Sequence, residues 1–308
     1  MRSPRRNALL VLAGLVAWTA GGALGSSAPI HRAEAAPSFE LGVAHPRQAR
    51  DLPSLTGNKP IFILVLGSDA RPGQSFAGQR SDSIHILGIN PAKHRASVLG
   101  FPRDSWVDIP GHGANKINSA MVYGGPHLTI ATIEQLTGIH IDYYLLTSFG
   151  GLAHMVNDVG GIVVDVPYPM HDSYSGADFS PGVQRLSGKQ ALAFSRDRHD
   201  VPLGDLSRSQ NQGRLLLAAL AQFRKQFVAD PSVLLSWLAS GLRNVSTDLS
   251  VRQLVSLAFT AASISPSGVT NEVVPATTGM MGSASVVFIS GSARSVYANM
   301  KADGLIGH

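Results

Sequence analysis

Residues 61–66, Ile-Phe-Ile-Leu-Val-Leu, form an unbroken apolar run that stops at Gly67, the pattern of a strand buried on both faces. Two more runs, at 84–89 and 96–101, flank the turn-rich Asn-Pro-Ala-Lys-His-Arg of 90–95 and predict a hairpin. Leu128, Ala131, Ile133 and Leu136 then recur at helical spacing ahead of Gly138, predicting a helix over 127–136 with glycine at its C-terminus. Residues 142–147 read as a strand, 152–159 as a helix closed by Gly160 and Gly161, and 162–166 as a strand ended by Pro167. Strands alternating with helices indicate an α/β layered domain.

The next stretch, 167–185, is rich in Gly, Ser, Asp and aromatic residues and has little periodicity, so it reads as a long loop, functional or disordered. Beyond it the pattern predicts helices at 188–194, at 205–212 leading into 215–223, at 231–242 and at 248–264, with Asp248 as a cap. Late strands at 273–274 and 285–289 precede a closing helix over 293–300.

At the other end of the chain, Arg2, Arg5 and Arg6 precede 24 uncharged residues, 7–30, whose apolar density is greatest over 8–18. As a helix this segment is about 36 Å long at ~1.5 Å per residue, enough for a ~30 Å hydrocarbon layer. Positive residues stay on the cytoplasmic side, so everything after the segment is exported. The reading adopted is a single-pass anchor in the cell membrane with an extracytoplasmic domain. Secretion after cleavage, near Ala23 or Ala33, is the alternative, because small residues gather there. Residues 1–30 then form the basic start and membrane segment. Residues 31–58, with Pro37, Pro46 and Pro53, form a linker, and 59–305 form one domain.

Composition narrows the chemistry. A chain of 308 residues that is 44% hydrophobic buries a full core. Its formal charge is +5, but Arg2, Arg5, Arg6 and Arg32 against Glu34 place three of those charges within residues 1–36. The remainder is too weakly basic for a polyanion-binding surface, and no RNP-like aromatic run or basic helix is present, which excludes a nucleic-acid partner. Cysteine is absent, excluding disulfides, thiolate zinc sites and cysteine nucleophiles.

What stands out is arginine beside aspartate. Arg196 and Arg198 lie one residue apart, Arg80-Ser-Asp82 and Arg103-Asp104 precede them, and Asp69 ends Leu-Gly-Ser-Asp at 66–69. Guanidinium forks bind phosphate oxygens in bidentate fashion, and carboxylates supply the hard oxygens magnesium takes. Several of each at the ends of apolar strands predict a diphosphate site. Each has a plainer reading. Asp69 suits a turn, Arg103-Asp104 an ordinary surface pair of ~1 kcal/mol or less, and Arg196 with Arg198 the C-terminal dipole of the preceding helix. The apolar residues of 215–223 read more readily as core than as a lipid groove. Other chemistries lack their motifs: there is no Gly-x-Ser-x-Gly elbow, no P-loop around Gly188-Lys189, no third glycine after Gly111-His-Gly113 and no His-Glu-x-x-His.

Taken in order, Leu-Gly-Ser-Asp at 66–69, Arg-Ser-Asp at 80–82, Pro-Arg-Asp at 102–104, Lys-Ile-Asn at 116–118, Tyr-Gly-Gly at 123–125, Ile-Asp-Tyr-Tyr at 141–144, Gly160-Gly161, Leu-Ser-Gly-Lys-Gln-Ala at 186–191 and Arg-Asp-Arg at 196–198 carry a resemblance. Over residues 58–305 the chain resembles the LytR-CpsA-Psr family of bacterial membrane-anchored phosphotransferases, which move cell-wall glycopolymers from a polyprenyl diphosphate carrier to peptidoglycan or a related acceptor. The resemblance implies an α/β fold with a central mixed β-sheet flanked by helices and a hydrophobic pocket for the polyprenyl chain. It assigns catalysis to Asp69, Arg80, Asp82 and Arg103, diphosphate binding to Arg80, Arg103, Arg196, Arg198 and Gln212, and Mg²⁺ binding to Asp69 and Asp82. The implied partners are a polyprenyl-diphosphate-linked glycopolymer, peptidoglycan or another cell-wall acceptor, and the membrane. Arg71 also matches a frequent arginine. One departure is Asn211, which stands where many members have arginine, leaving open whether Arg208 substitutes. The general base is unassigned, Asp104 being one candidate. Two rival classes, a diphosphatase and a non-catalytic lipid-linked glycan binder, need the same arginines.

Overall fold

A computed structural model describes residues 57–70, 74–76 and 78–307; the expected membrane segment, nearly all of the linker and Arg71 lie outside them. Among the described residues no helix is long and apolar enough to cross a membrane. Along the chain run β1 (Ile61–Ser68), β2 (Ser81–Asn90), β3 (Arg95–Gly100), the hairpin of β4 (Trp106–Ile109) and β5 (Gly113–Lys116), α1 (Ser119–Thr137), β6 (Tyr143–Ser148) and α2 (Phe149–Asp158). The hairpin of β7 (Ile162–Val166) and β8 (Gly182–Leu186) follows, then α3 (Gly188–Arg196), α4 (Asp205–Ala229), α5 (Val233–Asn244), β9 (Val245–Thr247) and α6 (Val251–Ser263). Strand β10 (Val269–Val273), the hairpin of β11 (Ala276–Met281) and β12 (Ala284–Ile289), and α7 (Ala293–Asp303) complete the order.

Six strands form one mixed sheet in the order β10-β3-β2-β1-β6-β9. Strands β1 and β6 run parallel, as do β3 and β10, and the other neighbours are antiparallel. The two-residue period of β1 explains why its sequence is apolar from Ile61 to Leu66. Phe62, Leu64 and Leu66 pack into the core layer shared with α1 and α7, while Ile61 and Ile63 pack on the opposite face, against residues of α4 and α6. Two layers of helices therefore cover the sheet, as the α/β reading requires.

On β2 the same alternation turns His85 toward α4. Its ring is fully buried, with Nδ1 at 3.2 Å from Ser83 Oγ and Nε2 at 3.1 Å from the Ser209 carbonyl oxygen. Burial lowers its pKa to about 4, so the ring is neutral near pH 7 and ties the sheet to α4 without a buried charge. A second tie lies at β10, where Gln210 Nε2 donates to the Asn271 carbonyl and Asn271 Nδ2 donates to the Gln210 carbonyl, both at 3.0 Å. Gly213 permits this approach, since a Cβ there would stand 1.9 Å from Asn271 Oδ1. Helix α4 is thus fixed in rotation, which decides what its next residues face.

Several elements differ from expectation. Helix α1 starts at Ser119, eight residues early, as a first stretch that non-helical backbone at Gly124 and Gly125 separates from the part following Pro126. By contrast, 205–212 does lead into 215–223 as expected, in one continuous helix that runs on to Ala229. The supposed loop 167–185 holds β8 and a bridge between Met170 and Phe179, a more ordered segment than its composition indicates.

Candidate active site

The C-terminal end of β1 and the start of β2 lie side by side. Gly67 pairs with Ser83 and Ser68 with Ser81, leaving Asp82 as the extra residue of a bulge. A bulge re-aims the side chain it carries, and here the carboxylate meets Arg103, whose Nη1 donates to Asp82 Oδ1 at 2.6 Å. Arg103 follows β3 and the buried Phe101. Its loop is pinned by backbone bonds from Asn118 to the Arg103 carbonyl and from Ile117 to the Ser105 carbonyl, at 3.2 and 2.8 Å. Lys116 Nζ holds Asp104 Oδ1 at 2.8 Å, and Arg103 Nε lies 3.5 Å from Asp104 Oδ2.

A second set of charges arrives from the α3–α4 region. Ser187 and Gln190 form a capping box that starts α3, and the helix ends at Arg196, whose guanidinium lies over the Phe149 ring at 5.1 Å, a cation–π contact. Asp205, Arg208 and Gln212 share one face of α4 by their spacing of three and four residues. Arg208 is 5% exposed, with Nη2 at 3.1 Å from Asp205 Oδ1, and Arg198 Nη1 lies 3.7 Å from the same oxygen.

These parts converge. Asp82, Arg103, Arg196, Arg198, Arg208 and Gln212 line one cavity of about 350 Å³, beside Phe149, Asp172 and His199. Asp69 and Arg80 are exposed, carry no ion pair among the described residues, and do not line this cavity; Asp69 directly follows the end of β1, and Arg80 directly precedes β2. Gln212 enters the wall with Nε2 donating to the carbonyls of Asp82 and Ser195 at 3.2 and 3.1 Å. Both its N–H groups are therefore occupied with backbone. Asn211 points elsewhere, bonding the Tyr168 hydroxyl at 3.0 Å. The cation near the departed family position is Arg208, which the helical period from Gln212 identifies once 205–212 is taken as part of one helix.

The cavity's electrostatics follow from crowding. Burial is the largest influence on Arg208 and lowers its pKa to about 10, aided by Arg103 and Arg198 and opposed by Asp205 and Asp82. Burial also acts to lower Arg103, but the adjoining Asp82 and Asp104 outweigh it and raise its pKa. Asp104 and Asp205 influence each other's ionisation. Burial pushes both up, and the bonds from Asp205 and Lys116 with the charge of Arg103 bring Asp104 below the usual carboxylate range. Asp205 stays raised, by burial first and then by its neighbour Asp104, against the pull of Arg208. Two adjacent buried carboxylates disfavour each other's ionisation, and here Asp104 is the more acidic member and Asp205 the less acidic one.

Two carboxylates, Asp69 and Asp82, stand at the ends of adjacent strands, and no group of three or more His, Cys, Asp or Glu side chains able to hold a metal occurs among the described residues. That donor set does not make a closed cage. It fits Mg²⁺, which keeps several waters and takes one or two carboxylates together with substrate phosphates.

Behind the arginines Asp197 is fully buried, and among the described residues neither of its carboxylate oxygens has a well-formed hydrogen bond. Burial, then Asp200 and Asp172, push its pKa up to about 7. The folded protein thus holds this proton more tightly than the unfolded chain, whose aspartates titrate near ~3.9. The stability it contributes is complete below that value and is lost as pH rises through about 7. Asp197→Asn should therefore raise the melting temperature at pH 8 by at least about 2 °C and change it little at pH 4. Parallel melting-temperature profiles of mutant and wild type would contradict this.

A separate cavity of about 290 Å³ is almost wholly apolar, enclosed by α4, α5, α6 and the sheet edge, with Ala219, Leu220, Phe223, Trp237, Leu238 and Leu257 among its walls. No residue of α6 is fully buried, since the groove beneath that helix is open. The reading of 215–223 as core holds in part: Leu215 and Phe223 are buried and Ala219 and Leu220 pack against the core, while Ala219, Leu220 and Phe223 also line this cavity. Helix α4 is the common wall, passing from Gln212 in the charged cavity to Ala219 in the apolar one, about 10 Å along its axis at ~1.5 Å per residue.

Comparison with known proteins places this geometry. The polyisoprenyl-teichoic acid–peptidoglycan teichoic acid transferase TagU of Bacillus mycoides is 35% identical over 167 residues, which is 54% of this chain and 53% of that protein. The probable cell wall biosynthesis protein LcpB of Corynebacterium glutamicum is 37% identical over 170 residues, covering 51% and 41%. The chain thus spans about half the length of the curated relatives it matches. The crystal structure of Bacillus subtilis TagV superposes with a TM-score of 0.70 and 25% identity, covering 81% of this chain and 98% of that one. With residues 33–302 matching the LytR_cpsA_psr family model, the chain belongs to the LytR_cpsA_psr family.

Proposed function

We propose that this chain is a membrane-anchored extracytoplasmic phosphotransferase. It moves a glycopolymer with its phosphate from a polyprenyl diphosphate carrier to a hydroxyl of peptidoglycan or a related cell-wall acceptor, and releases polyprenyl phosphate. The observation that carries this reading is the single helix α4, which places Arg208 in a cavity of converging guanidiniums and, two turns past Gln212, lines an apolar cavity. A charged head joined to a long hydrocarbon tail is the ligand such a pair of sites fits. The name of the related TagU, a polyisoprenyl-teichoic acid to peptidoglycan transferase, supports the same chemistry.

In this reading Arg103, Arg196, Arg198 and Arg208 bind the diphosphate, with Arg80 reaching it from the exposed rim. Asp82 and Asp104 hold Arg103 in register, and Gln212 positions α4 against the Asp82 backbone. The acceptor hydroxyl oxygen attacks the sugar-bearing phosphorus, the bond from that phosphorus to the bridging oxygen breaks, and polyprenyl phosphate departs with the bonding electrons. Charge accumulating on the phosphoryl oxygens is met by guanidiniums fixed beforehand, so little reorganisation is needed. The hydroxyl's proton passes to the Asp104–Asp205 pair when that pair is ionised. Asp69 and Asp82 would hold Mg²⁺, whose chemistry when bound is to neutralise charge on the diphosphate.

The test is to incubate the protein with a synthetic polyprenyl-diphosphate saccharide and peptidoglycan fragments and weigh every product. Saccharide phosphate joined to the acceptor, with polyprenyl monophosphate appearing only when acceptor is present, is expected. Equal release without acceptor would make the protein a diphosphatase, and tight binding without release would make it a binder. The tail site has its own check. A Cβ at Gly241 of α5 meets nothing within 4 Å, so Gly241→Phe fills the apolar cavity without a backbone clash. It should weaken a long-chain donor at least about tenfold, or ~1.4 kcal/mol, and leave a single-isoprene donor unaffected. Equal losses for both donors would remove the cavity from the mechanism.

A further inference from the structure

The arginine cavity adjoins a larger one of about 640 Å³, and the walls of both include Arg198 and His199. This second space lies between the segment leading into α4 and the hairpin β11–β12. Thr278 is opposite Val287 in the hairpin, and the strand period puts Ser285 on the same face as Val287; all three line the cavity. The Val287 N–H donates to the Asp104 carbonyl at 2.9 Å. One wall of this space is therefore fastened to the backbone beside Arg103.

Its chemistry changes along its length. Asp104, Asp205 and Arg198 stand where it adjoins the arginines, while the hairpin side offers the hydroxyls of Thr278 and Ser285 and no further cation. A polyanion needs more positive charge than this, and a polyprenyl tail needs the dry walls found in the other cavity. Neutral hydroxyls interleaved with apolar surface, such as the 64%-exposed Leu203, match a saccharide, whose hydroxyls hydrogen-bond while its C–H faces pack. The volume lies within the ~300–1,000 Å³ of small-molecule sites.

We infer that this groove is the acceptor site, binding a neutral saccharide of the peptidoglycan-glycan class with its reacting hydroxyl at the Asp104–Asp205 end. The inference rests on the transferase reading above. The carboxyl pair favours the acceptor over the donor's own glycan as occupant, because the group that takes the attacking proton belongs beside the nucleophile.

Thr278→Trp and Ser285→Arg, both at exposed positions, obstruct the groove in the full chain. The KM for a peptidoglycan-derived tetrasaccharide should rise at least about fivefold, while the Kd for a glycan-bearing polyprenyl-diphosphate donor analogue stays within about twofold. Retained donor binding also shows that the variants fold. Unchanged acceptor KM in both variants, or donor affinity falling in parallel, would overturn the assignment, the second outcome giving the groove to the donor glycan. If the wild type transfers nothing, the transferase reading fails separately, and the groove is judged by direct titration with the same tetrasaccharide. Binding that both variants weaken at least about fivefold would support a saccharide site there, and binding unaffected by either would overturn it.

Discussion

Replacing Arg103 by alanine is expected to lower acceptor-dependent turnover by at least about a hundredfold, or ~2.7 kcal/mol of transition-state stabilisation. The reason is position. Arg103 is the cation that the β1–β2 bulge aims at, gripped by Asp82 at 2.6 Å and flanked by Asp104, on a loop fixed by two backbone bonds to the segment before α1. A donor fixed in this way acts on developing charge without first being ordered. Removal also leaves Asp82 without its ion-pair partner, so some stability is lost with activity. Arg103→Lys separates the two effects: it keeps a charge beside Asp82 but not the planar fork. Turnover at least about tenfold below wild type with a near-native melting temperature is expected for the lysine variant. Wild-type turnover in either variant would remove Arg103 from the site.

The second large effect is on divalent cations. Excess chelator should abolish turnover, and added Mg²⁺ should restore it. Asp69 follows β1 and Asp82 lies at the start of the adjacent β2, and no three-ligand cage occurs among the described residues, so a bound ion would depend on the substrate's phosphates for the rest of its shell. Asp69 is exposed, outside the ion-pair network of Arg103. Asp69→Asn should accordingly leave the fold intact and raise the Mg²⁺ concentration for half-maximal turnover several-fold. Full turnover in excess chelator would argue against a metal role for either aspartate.

The sheet was legible because β1 is apolar at every position from Ile61 to Leu66, the pattern of a strand covered on both faces. Hairpin β2–β3 was legible from its turn residues. The small hairpins were not. Strand β5 reads Gly-Ala-Asn-Lys and β8 has Val183 73% exposed, so their pairing comes from tertiary surroundings that no local pattern carries. Asp82, Arg103, Arg196 and Arg198 were legible as a set by type and order, and the fold brings these four to one cavity. Arg208 was left undecided because the face that α4 turns toward the cavity is set by its ties to His85 and Asn271, which are distant in sequence. Asp205 was missed because its neighbour in the cavity, Asp104, lies 101 positions earlier in the chain. The apolar cavity was hidden because a helix face against a groove and one against core have the same composition.

Separated guanidiniums should grip one lipid diphosphate whose tail runs along α4. A crystal structure with a non-hydrolysable polyprenyl-diphosphate analogue tests it most directly. The phosphate oxygens should lie within hydrogen-bond distance of Arg103, Arg198 and Arg208, with the chain between α4, α5 and α6. A diphosphate bound away from these arginines, or a chain that leaves the apolar cavity empty, would contradict it.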